Sequence, residues 1–301
     1  QQTLPIVTTE LDSFNTAATV YRTNGRIDAG SLQKINTALA LVEKHVDGQG
    51  LLDALQVPIP SVVTPQSFTH GVIAKARVLY SHIVLPEGDD DRTLQAAGRL
   101  LQRQAAEFTI LGDAARMRQR SAELGIDLSA AHLIDPTQSD LRSGFAAEYA
   151  KLRAHKGMTE ERAFEIMGEV IYFGTMMVHM GLVDGMVAGA AHTTAYTIRP
   201  AFEIIKTKPG VSTVSGIIFA CHPAKVLAFA DCAIVPNPTT EQLADIAIAS
   251  ADTAAKFGLE PRVALLSYAT GASGSGEDVD KVRAATALVK QRRPDLPVEG
   301  P

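Results

Sequence analysis

The chain has 301 residues, 46% of them apolar and only 5% aromatic with no Trp, and its 28 Lys and Arg against 33 Asp and Glu leave a net charge of −5. Such a chain can bury a sizeable core in each of two ordinary domains, and its slight acidity excludes a broad nucleic-acid-binding face. No uncharged apolar run reaches the roughly 18–20 residues of a membrane span, and the two cysteines, Cys221 and Cys232, make neither a CxxC pair nor a Cys/His cluster. A zinc site and a disulfide framework are therefore not expected, and the thiols read as reduced, buried and structural in a cytoplasmic protein.

Residues 1–47 hold apolar runs (LPIVTT, TAATVY) and a helical pattern from Ala29 to Val46, which read as the end of a small N-terminal module. Residues 48–66 are rich in Gly, Pro, Ser and Thr and read as a linker. From residue 67 the pattern alternates: HIVLPEG (82–88) precedes a helix over 91–104, FTILG (108–112) a helix reaching Gly125, and HLID (132–135) a helix over 140–155. Alternating strand and helix predict a parallel sheet covered on both faces. One long helix is predicted over 159–180, ahead of a strand at 183–189. Residues 67–210 thus form a first α/β domain and 211–301 part of a second. In the second, apolar runs at 214–220 and 225–231 are too close for a parallel crossover and predict an antiparallel pair. A helix (240–257), a strand (262–268), a Gly/Ser loop and a helix (278–290) follow. Gln1 in place of Met, and an apolar run that stops at Pro301, read as truncation at both ends.

The richest stretch is VDGMVAGAAHTTAYTIRPAFEIIKTK (183–208). Gly189, Ala190 and Ala191 make a turn small enough for backbone amides to approach an anion. Thr193, Thr194 and Thr197 add hydroxyls at a helix start whose dipole favours negative charge. Arg199, Lys206 and Lys208 follow, with Glu203 as the opposing charge, and His192 sits beside the hydroxyls. The same pattern also fits an ordinary strand, turn and helix with a solvated basic face. In KLRAHKG, Arg153, His155 and Lys156 lie at a helix C-terminus, where the dipole alone favours cations. In LPEGDDDRT, Asp89, Asp90 and Asp91 read as acidic capping rather than a metal site, because consecutive carboxylates on a turn rarely converge on one ion. Arg92 is placed to face an anion. The loop around Gly271, Gly274 and Gly276 can cradle phosphate but matches neither the P-loop nor GxGxxG. No GxSxG is present, and neither cysteine has a nucleophile's context.

Taken in order from about Val63 to the end, LPEGDDDRTLQAA, LRAHKGMT, the 183–208 stretch, DCAIVPNPTTEQLADIAIASADTAAKFGLEPRVALLSYATGASGSG and RPDLPVEGP resemble the bacterial phosphate acetyltransferases. Residues 1–47 are similar to the end of the regulatory module of the long bacterial form. The resemblance implies a two-domain α/β/α sandwich related to the isocitrate and isopropylmalate dehydrogenases, its second domain incomplete here, with the active site between the domains. It implies acetyl-CoA + phosphate ⇌ CoA + acetyl phosphate by direct attack in a ternary complex, coenzyme A being a substrate, with no cofactor and no metal. Homo-oligomerisation of the complete protein is implied as well, with no nucleic-acid or membrane partner. The resemblance carries catalytic roles to Arg153 and Arg199 and sets His192, Thr193 and Thr194 beside them; with Gly189 and Arg92 these form the expected substrate-binding set. Family members continue past residue 301 with a Ser-Arg pair and an Asp base, so this stretch alone is expected to be inactive. A phosphate butyryltransferase, a non-catalytic sensor of CoA esters or acetyl phosphate, and a dehydrogenase of the same fold are the alternatives.

Overall fold

The computed structural model describes residues 32–48, 50, 63–207 and 211–301. The N-terminal apolar runs, most of the expected linker and Lys208 lie outside the described residues. Helix α1 (Leu32–His45) occupies the described part of the 29–46 pattern. Contacts group Ala76–Thr193, with α1, as one compact unit, and residues 63–75 with Thr194–Pro301 as a second. Helix α2 (Pro65–Leu79) begins inside the stretch expected to be linker.

In the first unit, β1 (His82–Leu85), β2 (Glu107–Leu111), β3 (His132–Ile134) and β4 (Gly185–Met186) form one parallel sheet of order β3-β2-β1-β4. Its register sets Ile83 against both Phe108 and Gly185, and Thr109 against His132. Both faces are covered, so Val84 and Leu85 and residues 108–111, Thr109 included, are buried without the alternation of a half-exposed strand. Helix α3 (Asp91–Gln102) starts where the Asp90 carboxylate accepts the Arg92 amide at 2.8 Å. Helix α4 (Ala114–Glu123) starts where Asp113 accepts the amides of Ala115 and Arg116. Each cap satisfies amides that the helix itself leaves without partners. Leu94 and Ala97 of α3 and Met117 of α4 then bury against Leu85, Phe108 and Ile110 of the sheet.

The single helix expected over 159–180 is two: α6 (Glu160–Ile166) and α7 (Val170–His179), after α5 (Leu141–Leu152). Gly168, a poor helix former, donates to the Glu165 carbonyl at 3.0 Å, and Glu169 turns extended (φ −84°, ψ 126°) to open α7. The break separates a helix with an exposed face from one whose residues Ile171–Met177 are all buried. An apolar pattern alone does not mark that change of environment. The strands expected at 183–189 and 262–268 pair over only Gly185–Met186 and Val263–Ala264. Among the described residues no helix is long and apolar enough to cross a membrane.

In the second unit the antiparallel pair forms as β5 (Ile217–His222) and β6 (Lys225–Ala230), Cys221 facing Val226. Phe219 of this hairpin packs on Phe257 and on Phe68 of α2, with ring centroids 4.7 and 5.3 Å apart. Lys75 of α2 donates to the Lys256 carbonyl, and these contacts place residues 65–75 with this unit. Helix α8 (Thr194–Pro200) runs on into a wider-turned segment, Ala201–Ile205. Helix α9 (Thr240–Lys256) opens with a reciprocal cap between Thr239 and Gln242. It packs through Ala244, Ala247 and Ala251 on Val282, Ala285 and Val289 of α10 (Glu277–Arg292). Leu265 and Val298 close this core beside the short parallel pair of β7 (Val263–Ala264) and β8 (Val298–Glu299).

Gly88 is the tightest point of the first unit. Its amide donates to the Leu111 carbonyl at 3.0 Å, and a Cβ added there would lie 2.7 Å from that oxygen and against the Met117 sulfur. Because backbone cannot yield as a side-chain tip can, Gly88→Ala is expected to cost about 1–3 kcal/mol. Urea unfolding of the variant beside the parent measures it.

Candidate functional site

The chain leaves β1 toward β2 on one side, while β4 arrives on the other. The loops after β1 and β4 therefore diverge from neighbouring strand ends, the place where open parallel sheets bind ligands. These loops are residues 86–90 and 187–193.

They are joined by one side chain. Glu87, only 5% exposed, accepts the amides of Gly189 at 2.8 Å and Ala190 at 2.7 Å on one carboxylate oxygen. The other oxygen accepts the amides of Ala191 at 2.8 Å and His192 at 3.0 Å, and His192 Nδ1 at 2.8 Å. Gly189 has φ +111°, a conformation that side chains rarely adopt, and this lets successive amides face one anion. Burial pushes the Glu87 carboxyl up, but the amides of Ala191 and Ala190, the His192 ring and the Gly189 amide outweigh it and hold the group at about 2. Arg92 straps the same loops: its guanidinium grips Asp90 at 2.7 and 3.0 Å and donates to the Ala190 carbonyl.

Small-residue amides gathered around an anion were expected at 189–191, and they are there. The correction is that the anion is the chain's own Glu87, so these amides are not left open to a ligand. In the sequence Glu87 is less conspicuous than the three aspartates that follow it. A signal was available: a lone carboxylate between an apolar strand and a glycine, at the carboxyl end of a parallel strand.

The three aspartates diverge to three arginines. Asp89 pairs with Arg116 at 3.6 Å, Asp90 with Arg92, and Asp91 with Arg120 at 2.6 and 2.8 Å. They line an open cavity of about 790 Å³ between the start of α3 and the length of α4. Among the described residues no three His, Cys, Asp or Glu gather as metal donors.

The remaining site residues lie elsewhere. Arg153, half-buried, closes α5, and its carbonyl accepts the Lys156 amide at 2.8 Å. His155 and Lys156 are exposed. Thr193 is the last residue of the first unit, and Thr194 opens α8 in the second. Arg199 is exposed on α8, its Nε held by Glu203 at 3.1 Å one turn on. In the Gly/Ser loop, Arg283 of α10 binds the carbonyls of Gly271 and Gly274 at 3.0 and 2.9 Å, and the Tyr268 hydroxyl donates to the Ser275 carbonyl. The cysteines, expected to be buried, are both exposed, Cys221 lying on a hairpin open along much of its length.

Residues 67–301 match the family model described as phosphate acetyl/butaryl transferase. The chain is 47% identical over 298 residues to a phosphate acetyltransferase of Nitratidesulfovibrio vulgaris, an alignment covering 99% of this chain and 42% of that protein. It is 50% identical over 239 residues to a phosphate acetyltransferase of Corynebacterium glutamicum, covering 79% and 73%. A crystal structure of a phosphotransacetylase from Streptococcus pyogenes superposes with a TM-score of 0.73 at 39% identity, covering 79% of this chain and 73% of that one. The chain thus spans less than half the length of the Nitratidesulfovibrio relative.

The depressed Glu87 carboxyl has a consequence for stability. Lowering it from 4.5 to about 2 corresponds to about 3 kcal/mol at neutral pH, present above the unfolded value and lost as pH falls from 4.5 through 2. Glu87→Gln is expected to lower the unfolding free energy by about 2–3 kcal/mol at pH 7. The gap from the parent should close between pH 5 and pH 2, as urea titrations across that range will show.

Proposed function

The chain belongs to the phosphate acetyl/butaryl transferase family, and from that premise we propose that the whole protein moves an acetyl group between coenzyme A and inorganic phosphate. The observation that carries this reading is the family match over 67–301, which spans the Glu87 turn, Arg153 and Arg199. In the reaction a phosphate oxygen attacks the thioester carbonyl, the C–S bond breaks, and the CoA thiolate takes up a proton. Negative charge gathers on the carbonyl oxygen, and the two arginines are proposed to offset it while holding phosphate groups, a role suited to the planar guanidinium fork. Gly189, His192, Thr193, Thr194 and Arg92 are proposed to shape the substrate site. Holding both substrates together supplies the entropic part of the acceleration. The reading includes direct transfer without an acyl-enzyme, no cofactor beyond the substrate coenzyme A, a cytoplasmic homo-oligomer, and a fold related to the isocitrate dehydrogenases. Residues 48–66 are proposed to link the end of a regulatory module to the transferase part.

Purified whole protein should release CoA from acetyl-CoA only when phosphate is present, with butyryl-CoA turned over more slowly. Failure of phosphate to stimulate release would overturn the reading.

Arg153→Ala and Arg199→Ala should each lower kcat/KM by about 10²–10³, the scale of one lost charge-assisted contact to a transition state. Lys at either position should restore only part. Cys221→Ser and Cys232→Ser should leave turnover largely intact, and no acetyl label should remain on the protein after incubation with acetyl-CoA without phosphate.

A further inference from the structure

Arg199 shares its stretch of helix with a carboxylate that is far less exposed than itself. We infer that Glu203 is a positioning residue that holds the Arg199 guanidinium in one orientation ahead of substrate binding, so that the arginine meets the transferring group without first having to be ordered. The inference rests on the reading of Arg199 as catalytic.

The chain around the pair is built to place the carboxylate. Pro200 closes α8 and brings no amide to continue the α-helical ladder, and the next five residues, Ala201–Ile205, widen into a π-helical turn. That turn ends where the Lys206 amide donates to the Ala201 carbonyl at 2.9 Å, and Lys206 takes φ +65°, a conformation costly for a residue with a Cβ. Pro200 and Ile204 are buried and anchor the segment. The Glu203 side chain is turned inward and is 13% exposed, while that of Arg199 is 73% exposed. Glu203 Oε1 accepts Arg199 Nε at 3.1 Å. Nε lies in the guanidinium plane, so an anchored acceptor there sets the direction of the whole fork.

Helix stability does not account for this pair. With arginine four residues ahead of glutamate, the charges run in the less favourable order for the helix dipole, and an ion pair with so exposed a member contributes little in water. Orientation does account for it. An untethered arginine samples many rotamers and loses them when it closes on an anion, whereas one held through Nε has given them up beforehand. The contact needs only an acceptor oxygen on residue 203, so it does not depend on the charge of that group.

Steady-state CoA release by the whole protein, with acetyl-CoA and phosphate, tests this. Glu203→Met keeps the bulk of the side chain and removes the acceptor; it should lower kcat by about 3- to 10-fold, the scale of ordering one long side chain in each turnover, with KM for both substrates little changed. Glu203→Gln keeps an acceptor oxygen and should recover most of that loss. Beside Arg199→Ala, the Glu203→Met change should have no further effect, because no arginine is left to orient. If Glu203→Met fails to fold, Glu203→Ala takes its place in the same cycle. A parent kcat in the variant without the acceptor, a Glu203→Gln as slow as that variant, or a loss that persists in full beside Arg199→Ala overturns the inference. Any of these results with Arg199→Ala still strongly impaired removes this inference alone, whereas Arg199→Ala at the parent rate removes the catalytic reading of Arg199 on which it rests.

Discussion

One buried carboxylate organises the candidate site. Glu87 lies in the turn after β1, and four consecutive amides of the turn after β4 converge on it. Taking a carboxylate out of water is costly unless every lone pair finds a donor, and here the donors come from backbone that cannot turn away. The interaction therefore constrains both loops at once: the second must keep small residues and the positive φ of Gly189, and the first must hold Glu87 just ahead of the tightly packed Gly88. Arg92 adds a second strap through the Ala190 carbonyl.

The sheet explains why that constraint falls where it does. With the order β3-β2-β1-β4, β1 is flanked by a strand reached through α3 and by a strand reached much later, through α5, α6 and α7. Loops leaving such neighbours diverge and open a crevice, and a buried acid bonded across it stiffens the walls without filling the space with side chains. The neighbouring acidic run is satisfied differently, by three surface ion pairs that confer little stability in water. In the second unit the Gly/Ser loop is governed by Arg283, whose guanidinium gathers two loop carbonyls. That loop is thus tied to α10 by its carbonyls, a feature its glycine content does not announce.

Much of this was legible beforehand. The alternation of apolar strands with capped helices marks β1 to β3 and α3 to α5, because burial on both faces and the need to satisfy helix-end amides write themselves into residue type. The short spacing between 214–220 and 225–231 likewise forces the antiparallel hairpin, and the small residues at 189–191 mark a backbone able to surround an anion. These features are local, set by residues close together in the chain. The break at Gly168 was not legible, since apolar periodicity runs through it and only the burial of α7 on all sides separates the two helices. Exposure of Cys221 and Cys232 depends on what covers the hairpin, not on cysteine's usual preference for the interior. Above all, the amino-acid sequence determined a turn of small residues at 189–191 whose backbone can surround an anion, and only the tertiary structure decided that the group it surrounds is Glu87. The pairing spans more than a hundred residues and arises because β4 joins the sheet beside β1, a choice of partner that no local pattern encodes.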